Sequence, residues 1–224
     1  EMGILIQEVV GNRVGDYFLP SFAGVAFSRN EFRCSPRIKR EDGLLRLVAG
    51  LGTRAVDRTG DDYPVLVAPG QVGLRVNVTA DETVRYAPKK VDVINLKTNR
   101  FETIEIIDLL KKCGEEIPAV EKIVSIYDGQ SLRNPLGKAI DFEKDDLVAT
   151  FDGLINQTSF ISQLRQVMGI LEEKLEAPVD IEFASDGKHF YLLQCRPQSF
   201  MEGGGPAYIP KDLPKEKVLF LANR

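Results

Sequence analysis

Four residues near the end of the chain have the types and spacing for phosphate chemistry: Asp180, Glu182, Gln194 and Arg196. They lie in the stretch Val179–Ser199, which reads Val-Asp-Ile-Glu-Phe-Ala-Ser-Asp-Gly-Lys-His-Phe-Tyr-Leu-Leu-Gln-Cys-Arg-Pro-Gln-Ser. Carboxylate and amide oxygens suit a hard cation such as Mg2+, while a guanidinium fork matches phosphate oxygens.

Such a set works only if the backbone holds it on one surface. The stretch reads as a β-hairpin, two alternating runs joined by the turn signal Ser185-Asp186-Gly187-Lys188 and closed by Pro197. Strand side chains alternate between faces. Val179, Ile181, Phe183, Tyr191, Leu193 and Cys195 form a core-like odd set, with His189 as its polar exception. A loop of odd length would put the even residues of both strands on one face, with Phe190 and Leu192 as an apolar floor toward the turn. The same alternation also describes the wet face of an ordinary half-buried hairpin. Alternation alone does not separate the two.

The elements around the hairpin follow from local pattern. Over 158–177, Phe160, Leu164, Val167, Met168, Leu171 and Leu175 recur at helical spacing, and Pro178 stops the helix and starts the first strand. Residues 3–10 read as a buried strand with a Gly11-Asn12 turn, and 21–30 as a second strand. Residues 44–53 form a strand running into the turn Gly50-Leu51-Gly52 and a short helix. Further strands are expected at 63–67, 72–78 and 147–151, with a hairpin over 91–106 and a short helix over 107–113. Residues 117–127 fit helix or strand, and 133–137 a loop. After Phe200, Gly203-Gly204-Gly205-Pro206 and a Pro-marked polar tether lead to the apolar run Lys217–Leu221.

Composition removes several classes. With 224 residues, 43% apolar, 28% charged and a net charge of -4, the chain has an ordinary globular balance and no general attraction to nucleic acid or an anionic membrane. The basic cluster Arg33–Arg40 is followed at once by Glu41 and Asp42, as in a solvated loop. Three scattered cysteines, Cys34, Cys113 and Cys195, contain no C-x-x-C pair, which argues against a zinc site or disulfide framework and fits a reducing, cytoplasmic setting. No segment approaches the roughly 18 apolar residues of a membrane span, and no signal peptide opens the chain. One histidine, His189, rules out multi-histidine metal sites, and its place beside a turn suits a solvated role.

The order Asp-Ile-Glu-Phe, short turn, Leu-Gln-x-Arg-Pro resembles the end of the ATP-grasp nucleotide-binding domain of phosphoenolpyruvate synthases and pyruvate phosphate dikinases. Residues 21–30 resemble the Ser-Gly-Val-Ala-Phe-Ser-Arg-Asn strand of the dikinases. The likeness covers residues 4–30, 44–58 and 178–199. It implies a mixed α+β fold, the C-terminal lobe of an ATP-grasp domain, with a mainly antiparallel sheet and packed helices over residues 1–202. Residues 80–151 match poorly and read as an insertion, and 203–224 as a linker and terminal strand toward a further domain. It further implies that Glu182 and Gln194 hold Mg2+ on ATP, that Asp180 supports them, and that Arg196 reaches the phosphates as the catalytic cation. Gln7, Glu8, Val9 and Val10 take the place of the hinge that binds the adenine edge. The segment Gly50-Leu51-Gly52 departs from the resembled pattern just after it: Thr53 stands where the family usually has Glu, and Arg54, Asp57 and Arg58 follow in place of small residues. The implied activity is transfer of a phosphoryl group from ATP to a histidine on a separate domain, then to pyruvate. The implied partners are an N-terminal ATP-grasp lobe and a phosphohistidine domain of the same parent protein, with neither nucleic acid nor membrane. The alternative is a domain that kept the fold and nucleotide binding but lost the chemistry.

Overall fold

Short alternating runs separated by glycine, proline and Asx turns set the strands of this chain into antiparallel ladders. The computed structural model describes residues 4, 6–31, 37–56, 62–74, 79–135 and 140–198. The first elements are β1 (Asn12–Val14), β2 (Tyr17–Leu19), β3 (Phe22–Phe27), β4 (Leu44–Ala49), α1 (Thr53–Val56), β5 (Val65–Val67) and α2 (Ala80–Tyr86). Then come β6 (Lys90–Asn95), β7 (Arg100–Glu105), α3 (Ile106–Cys113), α4 (Val120–Ile123), β8 (Val124–Tyr127), β9 (Leu132–Arg133) and β10 (Asp146–Ala149). The last are α5 (Asp152–Gln157), α6 (Phe160–Leu175), β11 (Val179–Ser185) and β12 (Phe190–Pro197).

Among the described residues the strands form three sheets, ordered β1-β2-β6-β7, β10-β8-β9 and β12-β11-β3-β4-β5. Every named ladder is antiparallel. The fold is thus mixed α+β and antiparallel, as expected. One face of the five-stranded sheet carries Val179, Ile181, Phe183, Ala26, Leu45 and Leu47, all buried in the main core with Phe160, Leu164 and Met168 of α6. Edge-to-face contacts of Phe22 with Phe160 and Phe151, at 5.5 and 6.5 Å, tie the sheet to α6 and to the lead-in of α5. The other face has a smaller apolar cluster, Val25, Val48 and Ala55 with Phe27. The single turn of α1 packs on β3 and β4, and its Ala55 belongs to this cluster.

Residues 80–151 supply β6 to β10 and α3 to α4, and their Val91, Val93, Leu109, Leu110 and Phe151 lie in the same core as the five-stranded sheet. The four- and five-stranded sheets are tied directly where the chain leaves β4. Leu51 N–H donates to the Asp92 carbonyl at 3.0 Å, beside a Gly50–Asp92 bridge. Gly50 has φ 69°, and a Cβ there would run into Val91 and the Asp92 carbonyl, so this approach demands glycine.

Several sequence expectations need correction. Residues 6–10 form no strand, and Ile4 and Ile6 are 83% and 90% exposed; an apolar run is buried only where a neighbour covers it. Gly11-Asn12 is no hairpin turn, because Asn12 opens β1 and the turn falls at Gly15-Asp16. Residues 72–74 make turns rather than a strand, and 75–78 lie outside the described residues. Residues 117–127 hold both readings in succession, α4 then β8, the β-branched end being extended. The expected loop at 133–137 begins as β9, which ends at Arg133. The linker and terminal strand expected at 203–224 lie outside the described residues, as does Cys34.

Candidate functional site

The β11–β12 hairpin is held at both ends. Helix α6 ends at Glu176 in the left-handed region, φ 51°, and Pro178 then turns the chain into β11. Val179 N–H donates to Ser28 Oγ at 2.9 Å, and Ser28 N–H to the Val179 carbonyl at 2.9 Å. Gln198 closes the other strand: its side chain accepts from Arg29 N–H (3.2 Å) and donates to the Arg29 carbonyl (3.0 Å). At the turn, Asp186 accepts from the N–H groups of Lys188 and His189, from His189 Nδ1 and from Tyr191 OH, at 2.7–3.1 Å. Burial works to raise the Asp186 carboxyl, but these hydrogen bonds outweigh it and hold the carboxyl far below the usual carboxylate range. Gly187, at φ 90°, is wedged where a Cβ would meet Pro118 and Ser21 Oγ.

Register decides which side chains share a surface. Ser185 pairs with Phe190, so the loop is the four residues 186–189, not the odd number the parity argument required. An even loop pairs odd residues with even ones, as Phe183 with Leu192 and Ala184 with Tyr191. The ladder then shifts by one between Glu182 and Phe183, leaving Leu193 unpaired as a β-bulge. Beyond the bulge Glu182 stands opposite Gln194 and Asp180 opposite Arg196. The four expected residues therefore share one face. The expected Phe-Leu floor is not on that face: Phe190 stacks on buried Phe183 at 5.1 Å between ring centres, on the core side.

The pairs run on across the sheet. One row is Gln194, Glu182, Val25, Arg46 and Leu66, and the next is Arg196, Asp180, Phe27 and Leu44. Arg196 Nε donates to both Asp180 oxygens at 2.7 and 2.9 Å. Asp180 is nearly enclosed, with 12% side-chain exposure, while Arg196 is 55% exposed. That contact raises the Arg196 pKa further and leaves both Nη groups without a hydrogen bond to a described residue. The side chains of Glu182 and Gln194 likewise make no hydrogen bond or ion pair among the described residues. Burial first, and then the Asp180 carboxylate, push the neighbouring Cys195 thiol up, so it is a protonated neighbour and not a thiolate.

No group of three or more His, Cys, Asp or Glu able to hold a metal ion occurs among the described residues. The donor set that is present, one uncommitted carboxylate and one amide oxygen in register, fits Mg2+, which keeps several waters and takes few protein ligands alongside phosphate.

Arg46 was not singled out in the sequence. The signal was available, since a charged residue interrupts the apolar run 44–49 at the parity of Leu44 and Val48. Its guanidinium lies over the Phe27 ring, 5.4 Å from the centroid, and Nη1 is 3.4 Å from the Ala55 carbonyl. Thr53, the departure noted above, donates to Asp92 Oδ2 at 2.5 Å, and Thr103 donates to Oδ1 at 2.7 Å. Buried Arg54 completes the group, with Nη1 3.5 Å from Asp92 Oδ1 and Nε 3.6 Å from Asp62 Oδ2. Thr53 thus fastens α1 to β6.

The expected hinge residues lie beside the bulge. Gln7 Nε2 donates to the carbonyl of unpaired Leu193 at 3.1 Å, and Glu8 is exposed. Val9 is exposed and Val10 half-buried. Arg29 points away from the row, to Glu172 of α6 at 3.2 Å. His189 is 69% exposed and leans on Asp186. An apolar cavity of about 420 Å3, between Tyr63, Val65, Tyr86, Thr150 and Ile155, opens at the β5 edge and shares only Leu66 with the polar row.

The sequence matches the family described as pyruvate phosphate dikinase, AMP/ATP-binding domain, over residues 1–217. No curated protein matches the chain. No helix among the described residues is long and apolar enough to cross a membrane.

Proposed function

Because the chain belongs to the pyruvate phosphate dikinase AMP/ATP-binding domain family, we propose that the row led by Gln194 and Glu182 binds Mg·ATP, as one wall of an ATP-grasp cleft, for phosphoryl transfer to a histidine on another domain. The observation that carries this is the Glu182–Gln194 pair: two uncommitted oxygen donors directly opposed, beside an anchored guanidinium. Glu182 and Gln194 would hold Mg2+, which bridges phosphate oxygens and offsets their charge when bound. Arg196, oriented through Nε by Asp180, turns its Nη groups toward phosphate oxygens. Residues 7–10, fixed beside Leu193 by Gln7, receive the adenine edge from the β12 side. Catalysis of phosphoryl transfer is mostly positioning and charge neutralisation, and these groups supply both.

The second wall comes from another lobe of the parent protein, and the acceptor histidine from a further domain. His189 is not that acceptor, because Asp186 holds it at the hairpin turn away from the row. The test is calorimetry on the intact protein with ATP, in Mg2+ and in chelator, followed by mass spectrometry for phosphohistidine. Mg2+-dependent binding and a phosphorylated histidine outside this chain are expected. Equal binding with and without Mg2+ defeats the reading.

The second reading, nucleotide binding without chemistry, is favoured by Thr53. Its hydroxyl is spent on Asp92 where the resembled family has a carboxylate. ATP binding with no phosphohistidine would establish it.

A further inference from the structure

The β11–β12 ladder puts an aromatic ring on the polar face where the sequence suggested a Phe-Leu floor. Tyr191 pairs with Ala184, and Ala184 shares the parity of Glu182. The tyrosine therefore stands one row from the Glu182–Gln194 pair, about 7 Å along β11 at the backbone. Phe190 and Leu192 pair with Ser185 and Phe183 and take the opposite face. Residues 7–12 pass alongside the same stretch of β12, because both ends of that segment are fixed. Gln7 donates to the Leu193 carbonyl at 3.1 Å, and Asn12 Nδ2 donates to the Asp186 carbonyl at 2.7 Å. The Tyr191 ring thus stands in the corner between the Glu182–Gln194 pair and the segment 7–10. It is pinned from the turn side: its hydroxyl donates to Asp186 Oδ2 at 3.0 Å, and its ring meets that of His189 at 77° and 6.2 Å. The residue is still 38% exposed. A half-open ring whose polar tip is already satisfied is arranged to carry a flat π system.

We propose that Tyr191 is the base platform of this site: its ring supports the face of the adenine while residues 7–10 take the edge. This rests on the nucleotide reading above. With the phosphates on the Glu182–Gln194 pair, the ribose covers the one-row step and brings the base to the β12 edge at Tyr191. Every nucleobase has a π face, so a ring here adds affinity for a nucleotide over a bare phosphate chain. The hydroxyl bond to Asp186 fixes the ring before the ligand arrives, so little side-chain freedom is lost on binding.

The competing account is structural, with Tyr191 serving only to pin the hairpin turn through Asp186. The experiment is calorimetry on the intact protein with Mg·ATP and with Mg·tripolyphosphate, which has the phosphates and no base. The unaltered protein is compared with Tyr191→Leu, Tyr191→Phe and Glu182→Gln, and circular dichroism checks that each variant is folded. Loss of a stacked base predicts that Tyr191→Leu weakens Mg·ATP roughly 10-fold, with less than about a 2-fold change for Mg·tripolyphosphate. Tyr191→Phe keeps the ring and loses the bond to Asp186, so it should melt earlier yet bind Mg·ATP within about 3-fold of the unaltered protein. A second measurement does not depend on the Leu variant folding. Tyr191→Trp adds an indole to a chain that has none, and Mg·ATP should quench the added fluorescence while Mg·tripolyphosphate does not. Equal Mg·ATP affinities for the Leu and Phe variants, a parallel fall for both ligands in Tyr191→Leu, or an absent quench overturns the proposal, provided Glu182→Gln weakens Mg·ATP. If Glu182→Gln leaves Mg·ATP affinity untouched, the nucleotide reading itself fails, and this proposal with it.

Discussion

Glu182 and Gln194 stand directly opposite each other in the β11–β12 ladder because Leu193 is left out of it. The four-residue loop alone would have set odd residues against even ones along the whole hairpin, and would have sent Gln194 and Arg196 to the core side. One bulged residue reverses the parity exactly where the chemistry begins, and its freed carbonyl anchors Gln7. Bulges commonly re-aim side chains beside functional sites, and this one separates the stacked Phe183–Phe190 pair on the core-facing side of the hairpin from the polar row on its other side.

Replacing Glu182 with Gln keeps the volume and removes the charge. In the intact protein we expect ATP-dependent phosphorylation to be abolished and Mg·ATP affinity to fall. Thermal stability should stay within about 0.5 kcal/mol, the usual range for a side chain with no structural partner. Near-normal turnover would remove Glu182 from the site.

Arg196 has two separable duties. Arg196→Lys should reduce turnover, because an ammonium cannot reproduce a fork held through Nε, and should leave the fold intact. Arg196→Ala should in addition destabilise the protein by about 1–2 kcal/mol, since it strips a nearly enclosed Asp180 carboxylate of its donor. Denaturant melts of both variants decide it; equal stabilities would mean that Asp180 finds water readily.

The hairpin turn should weaken in acid. Asp186 has its carboxyl depressed in the folded state, so its contribution is present above the unfolded value of about 3.9 and is lost as pH falls toward the lower folded value. Asp186→Asn should therefore lower the melting temperature at pH 7. The gap between variant and unaltered protein should narrow progressively below about pH 4. A gap that is constant from pH 7 to pH 3 contradicts the hydrogen bonds assigned to this carboxylate.

Asp92 accepts from Thr53 and Thr103 and faces buried Arg54. Truncation to Ala leaves that guanidinium with Asp62 and breaks the tie between α1 and β6. The expected loss is about 3 kcal/mol, measured by urea unfolding, against about 1 kcal/mol for Thr53→Val, which removes one neutral donor. Similar small losses for both would show that water replaces the carboxylate.

Local pattern alone settled the features whose causes are local. The apolar stripe of α6, its stop before Pro178, the strands at 22–27 and 44–49, the 91–106 hairpin and the existence of the terminal hairpin all follow from side-chain period and turn residues, and each is present. The identities of Asp180, Glu182, Gln194 and Arg196 were equally legible, because residue type and spacing carry their chemistry. What tertiary structure decided depends on other parts of the chain. Whether Ile4 and Ile6 are buried is set by what lies beside them, not by their own apolarity. The membership of 91–151 in the main core comes from packing between distant segments. Arg46 joined the polar face only when β4 took its place beside β3, since a strand has no partner until the sheet forms. The shared face of Glu182 and Gln194 came from a register that no count of alternation contains, because a bulge is fixed by the strand across from it.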